Sequence, residues 1–145
     1  MKSLIEYAMR FVGVPYVWGG SNPMAGFDCS GFIQWILQSV GADPQGDQGA
    51  QGIHDLLLKA GGLPLKNPQA GAICFYGKNP SQITHVSFCI TEHQIIEAGG
   101  GGANTTSVSE AAKHDACVRV RPIDGRKDLV EIVLPKYPLW VTSGQ

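Results

Sequence analysis

The sequence predicts an α+β fold in which helices come first and an antiparallel sheet follows. Three observations carry this prediction. Apolar residues recur at helical spacing as far as Gly61-Gly62. After Asn67-Pro68 the spacing becomes strand-like, in short runs rich in β-branched and aromatic residues. Thr91-Glu92-His93-Gln94 then reads as the turn of a hairpin joining two of those runs. A length of 145 residues suits one domain rather than two. With 43% hydrophobic and 16% charged residues there is material for a core, and disorder is disfavoured.

Ser3 to Val12 reads as a short amphipathic helix: Leu4, Ala8 and Phe11 share a face, and Gly13 can close it. A loop rich in Gly, Pro, Ser and Asn runs from Val14 to Phe27. The strongest helix spans Cys29 to Val40, with Asp28 as N-cap and Gly41 as stop. Its residues Phe32, Ile33, Trp35, Ile36, Leu37 and Val40 leave only a narrow polar edge, which predicts a mostly buried helix. Ala42 to Gly52 reads as a polar loop and Ile53 to Ala60 as a third helix. Strands are expected at Ala72 to Tyr76, His85 to Thr91, Gln94 to Ala98, Cys117 to Pro122 and Leu129 to Leu134. Gly99 to Gly102 is expected to be a flexible loop, and Ser107 to Lys113 a helical turn.

Charge and hydropathy exclude several classes. The formal net charge is −1, and no stretch supplies the basic face of a nucleic-acid binder. The most basic run, Arg119 to Lys127, is interrupted by Pro122 and Asp124 and reads as a solvated loop. No window approaches the roughly 18 apolar residues of a membrane span. Glu6 and Arg10 interrupt any apolar leader, so the expectation is a chain made in the cytoplasm without a signal peptide, reaching a wall by phage release or a dedicated machine if it is exported. The four cysteines, Cys29, Cys74, Cys89 and Cys117, are too widely spaced for a disulfide framework. Cys74 and Cys89 sit in apolar runs, as small buried hydrophobes do.

Cys29 stands in another setting. A thiol attacks only as thiolate, and the first turn of a helix offers unpaired N–H groups and a dipole that favour negative charge. A nucleophilic Cys also needs a base, and four histidines are available: His54, His85, His93 and His114. His85 opens an apolar strand, which places its ring at a sheet edge. Glu97 is the lone carboxylate in Gln94-Ile95-Ile96-Glu97-Ala98, and a third group that orients the imidazole improves a base. A turn centred on Glu92 and His93 would set residue 88 opposite 97 and bring Glu97 within reach of His85 if both point to one face. Taken singly, each residue also fits a plainer role: a structural thiol, a strand-end imidazole, a solvated carboxylate. His85, Cys89 and His93 would stack as zinc ligands on a helix, but the intervening Val86, Phe88 and Ile90 favour a strand. The glycine run lacks the residues of a phosphate loop. Trp18, in the loop before Cys29, fits either a cleft wall or the core.

Pro15-Tyr16-Val17-Trp18-Gly19-Gly20 followed by Gly26-Phe27-Asp28-Cys29-Ser30-Gly31-Phe32 resembles the NlpC/p60 family of cell-wall cysteine peptidases, a branch of the papain-like superfamily. The likeness runs from about Met1 to Ala98. It implies a papain-like NlpC/p60 fold, with N-terminal helices packed on a central antiparallel β-sheet, in a single catalytic domain over 1–140 with a C-terminal tail at 141–145. It makes Cys29 the nucleophile, His85 the general base and Glu97 the third residue, where the family more often has His, Asn or Gln. Tyr16 matches a family tyrosine beside the nucleophile. Trp18, Asp28 and Ser30 join it as substrate-binding candidates, and Gln51 fits a Gln found after the first helix. The family's Pro-Gly-Asp before the first strand is reduced to Ala70-Gly71-Ala72, a loss expected to affect a turn rather than chemistry.

The resemblance implies hydrolysis of bacterial peptidoglycan stem peptides, commonly between γ-D-glutamate and a diamino acid, by a monomer that needs neither cofactor nor metal. Two rival readings stand beside it. One is a related thiol amidase or acyltransferase, although in permuted lipid acyltransferases the His precedes the Cys. The other is a catalytically silent wall-binding or phage tail assembly domain, with Glu97 as the mark of a degraded triad.

Overall fold

Helix α1, Lys2–Met9, buries Leu4 and Ala8, and helix α2, Cys29–Gln38, buries Phe32, Ile33, Ile36 and Leu37. These positions recur every three or four residues, as the periodicity requires. Helix α3, Ala50–Lys59, starts three residues before the predicted Ile53, capped by the extended backbone of Gly49. Gln51, expected in the preceding loop, is therefore helical. The chain is described from a computed structural model over residues 1–99 and 116–143. The helical turn expected at Ser107 to Lys113 lies outside these residues.

Eight strands are formed among the described residues. Two short ones, β1 (Ser21–Asn22) and β2 (Gly26–Phe27), pair with each other inside the segment predicted as loop. The others are β3 (Leu63–Leu65), β4 (Ile73–Gly77), β5 (Ile83–Cys89), β6 (Gln94–Gly99), β7 (Cys117–Pro122) and β8 (Leu129–Leu134). They form one antiparallel sheet in the order β3-β8-β4-β5-β6-β7. Strand β3 escaped the sequence reading because Pro64 interrupts it. Proline is tolerated there because β3 is an edge strand. A short helical turn, Leu139–Thr142, closes the described chain. Its Val141 lies in the expected tail, yet it is buried, and its carbonyl accepts from the Met1 amino group.

The sheet has two faces. Ile73, Phe75, Val86, Phe88, Ile96, Ala98 and Val118 meet the helices in the main core. Cys74, Tyr76, Cys89, Ile95 and Ile132 form a second cluster on the other face. Cys74 and Cys89 are both free and fully buried, as the sequence suggested. In β5 the pairing runs Tyr76↔His85 and then Gly77↔Ile83, so exposed Thr84 is a bulge residue. A bulge re-aims the side chains beside it: Ile83 joins the main core, whereas His85 lies beside Tyr76.

Pairing of β5 with β6 runs Phe88↔Ile96 and Cys89↔Ile95, which sets residue 88 opposite 96 rather than the expected 97. This single step matters because side chains alternate between faces. The expected register would have put Glu97 on the face of Phe88, away from His85. The observed one puts Glu97 on the face of His85, Ser87 and Cys89. Gly99 ends β6 opposite Cys117. The flexible loop expected from Gly99 therefore does not include Gly99, and its other three glycines lie outside the described residues.

The segment before α2 is stitched to the sheet edge. Pro15 bridges Cys117 of β7, Tyr16 bridges Phe27, and Val17 N–H donates to the Phe27 carbonyl at 2.9 Å. Asp28 N–H reaches the Gly20 carbonyl at 3.0 Å, and the Asp28 carboxylate caps α2 by accepting from Gly31 N–H at 2.7 Å. A Cβ on Gly31 would lie 2.0 Å from the Gly20 carbonyl oxygen, so only glycine lets this turn close onto the loop. Gly31→Ala is expected to lower stability by about 1–3 kcal/mol and to displace the start of α2. Urea unfolding, with the amide spectra of Asp28 to Phe32, checks this; an unchanged midpoint and unchanged amides would refute the packing account.

Candidate active site

Three elements deliver one side chain each to a common point. Cys29 is the first residue of α2, partly exposed; His85 follows the β5 bulge; Glu97 comes from β6. His85 Nε2 lies 2.8 Å from Glu97 Oε1. The other ring nitrogen, Nδ1, is not engaged by Glu97, and Cys29 lies close enough to the imidazole to favour its charged form. The Tyr76 ring flanks the imidazole at 5.4 Å between centroids. A Cβ on Gly99 would sit 3.3 Å from Glu97 Oε2 and 3.4 Å from His85 Cε1, so the bare glycine backbone leaves room for the pair.

Burial opposes charge on the imidazole, but Cys29 and Glu97 outweigh it and push the His85 pKa up to about 9. Glu97 is only 1% exposed. Burial pushes its carboxyl up, yet the hydrogen bond and charge of His85, with Arg121 beside it, hold it below the usual carboxylate range. At neutral pH the imidazole is therefore a cation, with the Glu97 carboxylate on one side and Cys29 on the other.

The predicted flanking residues divide. Tyr16 is buried beside Cys29; burial, and then the charges of Cys29 and Asp28, push its phenol well up, so it stays a neutral donor. Asp28 and Ser30 are adjacent, but much of their polar capacity is used internally. Ser30 Oγ donates to Asp28 Oδ1 at 3.2 Å, and the same oxygen caps Gly31. Burial raises the Asp28 carboxyl despite these bonds. Trp18 is 60% exposed, so of its two candidate settings it has the surface one and not the core.

Gln51 gains a definite position. Its Oε1 accepts from Ile83 N–H at 2.8 Å and its Nε2 donates to the Pro80 carbonyl at 2.9 Å, which ties α3 to the turn that feeds the bulge and His85. His54 is committed elsewhere: it is buried against Phe75 and paired with Glu131 at 2.5 Å and Asp55 at 2.8 Å. His93 sits in the exposed turn beside Glu92, so His85, Cys89 and His93 do not line one helix face. His114 lies outside the described residues.

One part of the site was misread from sequence. The run from Arg119 to Lys127 is not a solvated loop. Arg119 and Arg121 lie in β7, on the same face of the sheet as Glu97, with Arg119 its direct cross-strand partner. Arg121 Nη1 donates to Glu97 Oε2 at 3.2 Å, and Arg119 Nε lies 4.0 Å from the same oxygen. Arg126 stacks 4.9 Å from the Tyr76 centroid and grips Asp128 through both carboxylate oxygens. The available signal was alternation: Val118 and Val120 are apolar, Arg119 and Arg121 lie between and after them, and a lone Glu waits on the neighbouring strand.

A model of the NlpC/P60 family matches residues 13–122. The match starts after α1 and continues through β7, beyond the Ala98 limit read from the motifs. The bifunctional muramidase/DL-endopeptidase CwlT of Bacillus subtilis is 29% identical over 119 residues, covering 81% of this chain and 35% of its own length. The gamma-D-glutamyl-L-lysine dipeptidyl-peptidase of the same organism is 36% identical over 100 residues, 67% of this chain and 31% of its own. The chain thus spans about a third of the length of these two relatives, and less than half of each of the other curated relatives it matches. RipD of Mycobacterium tuberculosis, described as a non-catalytic NlpC/p60 domain protein adapted to peptidoglycan binding, superposes with a TM-score of 0.63 at 19% identity. It aligns over 92% of this chain and 94% of RipD.

The charge on His85 makes a stability prediction. Its folded value of about 9 lies above the ordinary 6.5. A raised value means stabilisation that is complete below about 6.5 and is lost as pH climbs through about 9. Unfolding free energy in urea should therefore decline across this window in the wild type and decline less in His85→Gln. Equal slopes in the two proteins would show that the imidazole is not held charged by its neighbours.

Proposed function

Because the chain belongs to the NlpC/P60 family and sets His85 against Glu97 with Cys29 beside the imidazole, we propose that it is a cysteine peptidase that cuts peptidoglycan stem peptides, at the bond between γ-D-glutamate and the following diamino acid. The observation that carries this reading is the buried His85–Glu97 pair with the thiol at a helix start on its open side. The names of two relatives, a DL-endopeptidase and a gamma-D-glutamyl-L-lysine dipeptidyl-peptidase, support the bond.

In this mechanism His85 holds the Cys29 proton as an imidazolium, and the thiolate sulfur attacks the scissile carbonyl carbon. A C–S bond forms while the carbonyl π pair moves onto oxygen. Backbone N–H groups at the start of α2 face the developing oxyanion, helped by the helix dipole, and neutral Tyr16 stands beside them as a further donor. As the tetrahedral intermediate collapses, the C–N bond breaks and the His85 imidazolium gives its proton to the leaving amine. A water then attacks the thioester while His85 takes its proton, and the C–S bond breaks to release the acid and restore the Cys29 thiolate beside the imidazolium. Glu97 keeps the same imidazole orientation through both halves and stabilises the cation between them. In this reading Trp18, exposed on the loop before α2, contacts the bound peptide, with Asp28 and Ser30 next to Cys29.

The test is a mass-spectrometric digest of diaminopimelate-type peptidoglycan with wild type, Cys29→Ala and Glu97→Gln in parallel. Fragments ending in γ-D-glutamate should appear with the wild type, more slowly with Glu97→Gln, and not with Cys29→Ala. Cys29→Ala should be inert yet folded, and Glu97→Gln should be slowed by about tenfold or more, since an amide oxygen still accepts from His85 but supplies no charge. Full activity in Cys29→Ala would overturn the mechanism. Wall binding without fragments, from a wild type whose Cys29 resists alkylation, would establish a silent binding domain instead.

A further inference from the structure

We propose that Arg121 is a positioning residue of this site, which fixes Glu97 as an ionised, correctly turned acceptor for His85. Each carboxylate oxygen has its own cation: Oε1 takes His85 Nε2 at 2.8 Å, and Oε2 takes Arg121 Nη1 at 3.2 Å. Arg121 is itself anchored, with Nη2 on the Gly125 carbonyl at 3.4 Å, at the short 3-10 turn Ile123–Gly125. The side chain therefore reaches from that turn to the carboxylate and leaves Oε2 a fixed direction.

A carboxylate this deeply buried needs more than one cation when the first is also shared with a thiolate. During turnover His85 passes its proton to the leaving amine, and at that moment its charge no longer supports Glu97. Arg121 cannot lose its proton in this pH range, so it supplies the constant part of the field. Without it Glu97 would take up a proton or turn to face His85 with both oxygens. Either change weakens the hold on the imidazolium and hence on the Cys29 thiolate.

The charged and titratable groups around Glu97 come from several elements. His85 faces it from β5, Tyr76 from β4, Arg119 and Arg121 from β7, and Arg126 from the following turn, where Asp128 already pairs with it. On the far side of His85 stand Cys29, Asp28 and Tyr16. Arg119 is the nearest alternative, yet its Nε sits 4.0 Å from Oε2 and has no hydrogen-bond partner, so it does not replace the Arg121 bond.

This inference rests on the cysteine-peptidase reading, and its test is chosen to need no substrate. The rate of Cys29 alkylation by iodoacetamide is followed against pH, with the labelled peptide identified by mass spectrometry so that Cys74, Cys89 and Cys117 do not contribute. In Arg121→Met the midpoint of the rate profile should move up by about one pH unit, and the neutral-pH rate should fall about tenfold. In a Glu97→Gln background the same substitution should produce no further shift, because the amide has no charge to hold. Should Arg121→Met fail to fold, Arg121→Gln, which keeps an amide donor without the charge, gives the same comparison. A folded variant with an unmoved midpoint, or an equal shift in both backgrounds, overturns the role of Arg121 and leaves the peptidase reading standing. A wild-type Cys29 that is not alkylated below pH 8 overturns both.

Discussion

Glu97 is withdrawn almost completely from water, and a carboxylate in that position must be surrounded by donors and cations or give up its charge. The architecture on this side of the sheet follows from that requirement. His85 meets one oxygen and Arg121 the other, while Arg119 and Arg126 add positive potential. Tyr76 fills the flank as a ring that also stacks under Arg126. Its hydroxyl is satisfied by Ser87 at 2.9 Å rather than by the carboxylate. The pair His85–Glu97 is thus part of a buried polar network in which each partner constrains the next.

Positioning of the thiol is solved separately, at the edge of the sheet. The strand-like segment around Pro15 and Tyr16 bridges β7 on one side and β2 on the other, and the Gly20 carbonyl receives the Asp28 N–H. Gly31 allows the first turn of α2 to press against that carbonyl. Backbone contacts set Cys29 at the helix start, and its partly exposed side chain packs at the edge of the core beside His85 and Tyr16. Below it Phe27 and Phe32 pack edge to face at 5.4 Å and seat the helix in the main core. A rigid backbone frame with a half-exposed thiol is what a preorganised nucleophile requires.

The two halves are joined through Gln51 and the bulge at Thr84. Gln51 reaches from α3 to both Ile83 and Pro80, and so fixes the entry of β5 relative to the helical layer. The bulge then turns His85 toward Glu97 while Ile83 stays in the core. Helical layer and sheet are therefore tied at the residue that must span them. The fold, which RipD shares, is thus held by backbone and core contacts, and the candidate site is a few side chains set upon it.

Much of this was legible in the chain itself. Helical spacing located α1, α2 and α3 to within a few residues, and the strand-like runs after Pro68 located five of the six strands of the main sheet. The motif around Cys29, with a strand-opening His85 and an isolated Glu97, named the residues that meet, because residue type and local periodicity are properties of short segments. Register is not such a property. Whether residue 88 faces 96 or 97 is decided by long-range packing of Phe88 and Ile96 into the core, and one step reverses every side chain. The inward turn of Arg121 was hidden for the same reason: a cation on a strand looks solvated until the neighbouring strand places a buried carboxylate opposite it. Pro64 in a strand, likewise, became acceptable only once the fold made β3 an edge. Local sequence singled out the candidate groups, and the tertiary pairing of strands decided which of them meet.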